Sequence, residues 1–381
     1  MKVTGIIAEC NPLHEGHLHL IKEARRRTGA DYVIIALSGD YVQRGLPAIL
    51  SREARAGALL REGADLVVEL PLYVSCCGAD YFARGAVRLL ESTGVVTDLV
   101  FGSESGDLDA LSRAADRIGS ETPEFVSALR EGLRSGLSYP QAMSGAVKDL
   151  RLPDTPNDLL AAQYLCALRA SGSGVRPHAV KRIACRSASE IRGRLIAERE
   201  PGDPCLCADD FSDLLLEAIL SAESGAGSED GLDAFLDVSG DLAQRISREL
   251  PRYDTFTGFA ERLKTRNYTY TRISRALLHI LLGMRRDTME QFDSRFHLCG
   301  WIRPIGFRRE NGPLLRRISA DCGVPFLDKL ANAGSVLPPD LHRILEEELR
   351  AEFLYDLMAA RRTGKVTEGV KRGPAKPLVI L

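Results

Sequence analysis

The chain has 381 residues, 45% of them apolar and 27% charged, an ordinary globular mix that excludes wholesale disorder. Its 50 Lys and Arg against 52 Asp and Glu leave a net charge of −2, which excludes a uniformly basic, histone-like binder but not a local basic face. No apolar run approaches the roughly 18 residues of a membrane span. The opening MKVTGIIAEC is too short and too soon charged for a signal peptide. The nine cysteines form no C-x-x-C pair, so the expectation is a reduced, cytoplasmic protein with no metal site among its cysteines.

Along the chain, the first hundred residues alternate between two kinds of run. Val3 to Ala8, Tyr32 to Leu37, Leu66 to Leu70 and Asp98 to Phe101 read as strands. Helix-spaced runs separate them at His17 to Arg27, Arg52 to Glu62 and Tyr81 to Ser92. Continuous apolar strands between amphipathic helices predict an α/β fold, a Rossmann-like parallel sheet covered on both faces. Leu108 to Leu150 is helical and charged, and Asp158 to Ala170 is an amphipathic helix after Pro156. A short strand at Val175 to Ile183 and a helix at Ser187 to Glu198 follow.

Composition then shifts. Residues 201–250 carry twelve acidic and two basic side chains, and residues 252–317 carry fourteen basic and six acidic ones. SAESGAGSEDG at 221–231 reads as a flexible loop. Helical periodicity dominates from Ala208 to Leu282, IRPIGF at 302–307 is strand-like, and a last helix covers Pro339 to Ala360. The expected division is an α/β domain over 1–200, a mainly helical region over 208–360 and a flexible Gly/Pro/Lys-rich tail over 361–381.

The most informative stretch runs from Gly5 to His17. An apolar strand ends at a turn with Asn11 and Pro12, and His14-Glu15-Gly16-His17 opens a helix. A helix start offers free N–H groups and a partial positive charge to an anion. Gly16 removes any side chain from the approach, and His14 and His17 supply two imidazoles that can stabilise charge at a phosphorus centre. The plainer reading makes them surface histidines, since two imidazoles without a third ligand are a poor zinc site. Ser187-Ala188-Ser189-Glu190-Ile191-Arg192 is a second candidate anion site, with hydroxyls at a helix start and a guanidinium one turn on. Alone it would read as a Ser N-cap followed by a solvated Arg.

The two motifs together resemble the HxGH nucleotidyltransferases. SGDYVQRGLPAIL, ADYFARGAV, FGSESGD, PND, KTRNYTYTRISRALLHILLG and IRPIGF narrow that resemblance to the tRNA(Met) cytidine acetate ligase family over roughly residues 1–330. The resemblance implies catalytic histidines at His14 and His17. It implies ATP contacts from Ile7, Ala8, Glu9, Cys10, Asn11, Pro12, Leu13, His14, Glu15, Gly16, His17, Leu18, His19 and Leu20, then Gly102, Asn157, Arg182 and Ile183, with Ser187, Ser189 and Arg192 on the phosphates. Gly102, Asn157 and Arg182 can also be read as a turn glycine, a helix-cap Asn and a solvated Arg. The implied activity is two-step: ATP and acetate give acetyl-adenylate, with Mg²⁺ helping pyrophosphate leave, and the acetyl group passes to the wobble cytidine of elongator tRNA(Met).

The chain departs from that family's pattern at Cys10, Leu13, Asp40 and Asp158, and in the short run Ala184-Cys185-Arg186 between Ile183 and Ser187. Gln43, Arg44 and Arg52 follow the second strand, where α/β sheets place ligands, and Gln43 or Arg44 is a candidate for acetate or tRNA. For RNA, Lys264, Arg266, Arg272 and Arg275 interleave with Tyr268 and Tyr270, giving phosphate contacts and stacking surfaces. A solvated face paired with the acidic segment is the plainer alternative. Two rival functions remain at this level: a small-molecule adenylyltransferase, which would not need the basic helical extension, and a non-catalytic ATP-sensing RNA binder, which would not need the histidines.

Overall fold

The computed structural model describes residues 1–120, 122–135, 139–146, 155–224, 231–266, 268–364 and 378–381. The N-terminal half runs β1 (Val3–Ala8), α1 (Glu15–Thr28), β2 (Tyr32–Ser38), β3 (Tyr41–Val42), β4 (Leu46–Pro47), α2 (Arg52–Arg61), β5 (Leu66–Leu70), α3 (Leu72–Ser75), α4 (Ala79–Ser92) and β6 (Asp98–Ser103). There follow α5 (Leu108–Ser120), α6 (Pro123–Arg134), α7 (Tyr139–Ala146), α8 (Pro156–Ala170), β7 (Arg176–Lys181) and α9 (Ala188–Ala197). The rest is α10 (Ser212–Glu223), α11 (Gly240–Glu249), α12 (Phe256–Leu263), α13 (Tyr270–Leu282), α14 (Arg286–Phe296), β8 (Pro304–Phe307), α15 (Gly312–Asp321), α16 (Ala333–Val336), α17 (Pro339–Thr363) and β9 (Val379–Ile380).

The main sheet has the order β7-β6-β1-β2-β5-β8-β9. The pairs β7–β6, β6–β1, β1–β2 and β2–β5 are all parallel, so the α/β expectation holds. Alternation along the strands fills two layers. Ile6, Val33, Ile35, Leu37 and Val67 pack with Ile21 and Ala24 of α1 and Ala56, Leu59 and Leu60 of α2. Val3, Ile7, Ile34, Ala36, Leu66 and Val68 face the other way, onto Phe82, Ala83 and Ala86 of α4. The connection from β1 leads to β2 on one side and that from β6 leads to β7 on the other, which opens a crevice at the C-terminal ends of β1 and β6.

The two halves of the chain share this framework. The second core layer continues without a break into Phe259, Leu277, Phe292, Trp301 and Tyr355. Strand β8 pairs antiparallel with β5, so residues expected in a separate helical region complete the sheet. The expected tail is not uniform either: α17 runs to Thr363, residues 365–377 lie outside the described residues, and Val379–Ile380 adds a parallel edge strand to β8. Residues 147–150 of the expected helical stretch and 225–230 of the expected loop also lie outside the described residues. Among the described residues no helix is long and apolar enough to cross a membrane. All nine cysteines are free thiols.

Candidate active site at the end of the first strand

His14 is the N-cap of α1, and its Nδ1 accepts the Gly16 N–H at 3.1 Å. His17, three residues on, accepts the His14 N–H through its own Nδ1 at 3.2 Å, closing a reciprocal capping box made of imidazoles. The ring centroids lie 3.9 Å apart. A ring nitrogen that accepts an N–H carries no proton, so in each neutral ring the proton sits on Nε2. The pair therefore offers two Nε2–H donors at a helix start. Burial and the nearby Arg182 charge push His14 below the usual imidazole range. Burial, His14 and Arg182 push His17 down to about 3. Gly16 is needed here, because a Cβ would lie 2.8 Å from His14 Cε1 and push the imidazole aside.

The second motif comes to the same place. Ser187 caps α9 by accepting the Glu190 N–H at 3.2 Å, and Glu190 reaches back to the Ser187 N–H at 2.7 Å. Arg192 crosses to the first motif: its Nη1 donates to the Asn11 carbonyl at 2.6 Å and its Nη2 to Ser189 Oγ at 3.0 Å. Asn11 is buried, and its side chain accepts the Ile49 N–H at 2.8 Å. The short run before α9 brings Cys185 Sγ to 3.9 Å from His14 Nδ1, which no feature of the sequence signals.

Across the crevice, β6 ends in Gly102 and Ser103. A Cβ on Gly102 would meet only Arg182 Cγ, at an ordinary 3.7 Å, so this chain's own packing does not demand a glycine there. Asn157, in the first turn of α8, donates to Glu104. Arg182 and Ile183 are exposed just beyond β7, with the Arg182 N–H bonded to the Ser103 carbonyl at 2.9 Å. Asp158 is fully buried and accepts Ser103 Oγ and, at 3.2 Å, the Ser105 N–H, which fixes the loop after β6 to α8.

Within the stretch from Ile7 to Leu20 the side chains divide. Ile7 and Cys10 are core residues, and Ala8, Leu13 and Leu20 pack against the layer under α1 and α2. Burial pushes the Cys10 thiol up to about 12, which keeps it an inert thiol. Pro12 is buried, Glu15 is exposed, and Leu18 and His19 are half-buried on α1. Within the stretch, His14, Gly16 and His17 are the residues that build the capping geometry at the start of α1. Glu9 accepts the Gln43 N–H at 2.8 Å, and burial raises its pKa against the pull of Arg44, Arg192 and Arg55.

Two arginines of α2 behave unlike crevice residues. Arg52 is 2% exposed and points into the protein, where it pairs with Glu69 at 2.7 Å and with Glu352 of α17. Arg303 joins the same group through Glu69 at 3.2 Å. The expectation that Arg52 lines the crevice with Gln43 and Arg44 is thus corrected: buried carboxylates capture it. Arg55, which the sequence reading passed over, gives Nη1 to the carbonyls of Glu9 at 2.7 Å and Ser38 at 3.0 Å and Nη2 to that of Gly39. It ties the ends of β1 and β2 together. The available signal was a pair of arginines in register with Ala56 and Leu59 on the apolar face of α2.

The basic segment is partly used within the protein. Arg275 pairs with Asp237 at 3.1 Å and is mostly buried. Tyr268 bonds to Ser239 at 2.8 Å and lies under the Arg272 guanidinium, 4.9 Å from its centroid. Arg266 donates to the Ser135 carbonyl, and Lys264 is exposed beside Glu261 at 3.4 Å. Arg272 and Lys264 thus keep exposed positive groups, whereas Arg275 faces the acidic segment as the plainer alternative anticipated.

The chain matches the family model described as HIGH Nucleotidyl Transferase over residues 1–368. It is 34% identical to a tRNA(Met) cytidine acetate ligase of Acetivibrio thermocellus, with 93% of this chain and 94% of that protein covered. It is 32% identical to a protein of the same name from Fervidobacterium nodosum, covering 93% and 90%. Among solved structures it resembles Thermotoga maritima TmcAL bound with alpha-thio ATP, at 27% identity and a TM-score of 0.84, covering 95% of this chain and 96% of that one. The apo form of that protein matches at 26% identity and a TM-score of 0.87 over 100% of both chains. Family model, relatives and site geometry agree: the chain belongs to the HIGH nucleotidyl transferase family and, within it, to the tRNA(Met) cytidine acetate ligases.

Proposed function

We propose that this protein is an ATP-dependent acetate ligase that acetylates the wobble cytidine of elongator tRNA(Met), giving N4-acetylcytidine. The observation that carries the reading is the Nδ1-locked histidine pair at the start of α1, joined through Arg192 and Asn11 to the serine-rich start of α9. A triphosphate lying there meets two Nε2–H donors, free helix N–H groups and a guanidinium, all acceptor-seeking and fixed before the ligand arrives. Adenosine would lie toward Gly102 and Asn157, at the crevice between β1 and β6. The name of the Acetivibrio thermocellus relative and the ATP analogue held by the Thermotoga maritima protein support this assignment.

The chemistry balances without a covalent enzyme intermediate. A carboxylate oxygen of acetate attacks the α-phosphorus, the bond to the bridging oxygen of the β-phosphate breaks, and pyrophosphate leaves with the electron pair. Neutral imidazoles donate hydrogen bonds to the charge that builds on the α-phosphate oxygens. The N4 amine of cytidine then attacks the acetyl carbon, AMP leaves, and the amine proton passes to AMP or solvent. Mg²⁺ would enter as part of the ATP substrate. The one cluster of acidic side chains among the described residues that is close enough to share an ion, Glu69, Glu348 and Glu352, is buried around Arg52 and Arg303 and does not fit it.

For the RNA, Lys264, Arg266, Tyr268 and Arg272 form the proposed tRNA-facing segment, with Lys264 and Arg272 as its outward charges, while Arg275 is held by Asp237 within the fold. The test is incubation of purified protein with ATP, acetate and tRNA, followed by nucleoside mass spectrometry. Acetate-dependent pyrophosphate and N4-acetylcytidine are the expected products. Pyrophosphate release driven by a small-molecule acceptor, with no modified nucleoside, would instead favour a small-molecule adenylyltransferase.

A further inference from the structure

The hairpin formed by β3 and β4 is anchored at both sides of its tip. On one side the Gln43 N–H binds Glu9 at 2.8 Å. On the other, Ser274 of α13 donates its hydroxyl to the Gly45 carbonyl at 2.8 Å. Gly45 has φ +74, and a Cβ there would lie 2.3 Å from the Arg275 nitrogen, so the turn sits flush on the α13 backbone. The Gly45 N–H closes the turn onto Val42 at 2.9 Å. Between these fixed points stands Arg44, exposed and with no hydrogen bond or ion pair to another described residue.

The charges around it are unbalanced. Arg44 directly follows Gln43, whose N–H holds Glu9 at 2.8 Å, and its charge lowers the pKa of both Glu9 and Arg192. Arg55 is committed to backbone carbonyls, and Arg192 to Asn11 and Ser189. Arg44 is thus the guanidinium beside Glu9 whose donors stay uncommitted among the described residues, and a small anion fits it. Its position suits a nucleophile. Arg44 follows β2 and Gly102 ends β6, and these strands flank β1 on opposite sides. Displacement at the α-phosphorus needs the attacking carboxylate and the departing pyrophosphate roughly in line, on opposite sides of the phosphorus.

We propose that Arg44 receives the carboxylate of acetate, presented beside Glu9 by a hairpin clamped between the first strand and α13. The proposal rests on the acetate-ligase reading above. The planar guanidinium fork matches a carboxylate with two parallel bonds, which an ammonium or amide cannot reproduce. The hairpin also joins the acetate position to α13, the helix that carries Arg272 and Arg275.

The test is steady-state pyrophosphate release at varied acetate for the wild type, Arg44→Gln and Arg44→Lys, with calorimetry of a non-hydrolysable ATP analogue. Arg44→Gln should raise the KM for acetate by about tenfold or more and Arg44→Lys by less, while analogue affinity stays within about twofold. An unchanged acetate KM with weakened analogue binding would assign Arg44 to phosphate. An unchanged acetate KM with only the tRNA KM raised would assign it to RNA. Either result overturns the proposal while leaving the ligase reading intact. A wild type with no acetate-dependent pyrophosphate overturns both.

Discussion

Arg192 Nη1 lies 2.6 Å from the carbonyl oxygen of Asn11, so two motifs separated by 181 positions in the chain meet through one hydrogen bond. The contact places a guanidinium at the start of α1, beside the histidine pair, and leaves most of its donors available for phosphate. Arg192→Ala should therefore weaken ATP-analogue binding by about 10- to 100-fold, the worth of about 1.5–3 kcal/mol for a charge-assisted bond. Melting temperature should change little, because Arg192 is a half-buried surface tie. Calorimetry of the analogue, with a thermal melt on the same sample, checks both halves.

Gly16→Ala separates folding from chemistry. The added methyl would sit 2.8 Å from His14 Cε1, and the imidazole is the part free to move. A well-folded protein with adenylation slowed by about 100-fold is expected, since removing one aligned donor costs about that much. Loss of the fold, or full activity, would show that the imidazole position is not what Gly16 protects.

Both imidazoles should stay neutral through the working pH range. His17 is pushed down to about 3 by burial, His14 and Arg182, whereas an unfolded histidine titrates near about 6.5. The unfolded chain then binds the extra proton first. His17 favours the native state fully above about pH 6.5, and that contribution is lost as pH falls from there toward 3. Nitrogen NMR of the labelled imidazoles should show the Nε2-protonated tautomer for His14 and His17, with no His17 titration above pH 5. A midpoint near neutrality would break the capping-box account.

The ion cluster under the crevice is a stability element. Glu352 of α17 pairs with Arg52 and Arg303, and these two arginines pull its carboxyl below the usual range against burial. Glu352→Ala leaves two buried guanidinium groups short of a partner, which typically costs about 3–5 kcal/mol. Chemical denaturation should register that loss, and residual folded protein should keep its affinity for the ATP analogue.

On the basic segment, Arg272→Glu and Lys264→Glu should raise the tRNA KM and flatten its salt dependence without touching acetate-dependent pyrophosphate release. Arg275→Ala should act on stability instead, because its guanidinium is paired with Asp237 at 3.1 Å. Parallel tRNA titrations at two salt concentrations distinguish the two outcomes.

The parallel strands were legible because strands buried on both faces read as nearly continuous apolar runs. Leu66–Leu70 reads off with its bounds unchanged, and the others shift by a few residues at their ends. The hairpin was not legible, since two strands of two residues each carry no periodicity. β9 was hidden by the Gly/Lys-rich sequence before it. The histidine pair and the serine-rich start of α9 were visible as local patterns, but their meeting depends on Arg192 and Asn11, a long-range contact that no spacing encodes. Arg52, Arg55, Arg275 and Asp158 show the opposite limit: their sequence context says charged and solvated, and buried partners far along the chain decide otherwise.

Oxygen tracing tests the adenylation step most directly. With acetate labelled by ¹⁸O in both carboxylate positions, the attacking oxygen becomes the bridge to the α-phosphorus and stays there when cytidine takes the acetyl group. AMP released in the presence of tRNA should carry one ¹⁸O atom, in step with N4-acetylcytidine formation. Acetylcytidine formed alongside unlabelled AMP, or with ADP as the nucleotide product, would contradict attack of acetate on the α-phosphate at the His14–His17 site.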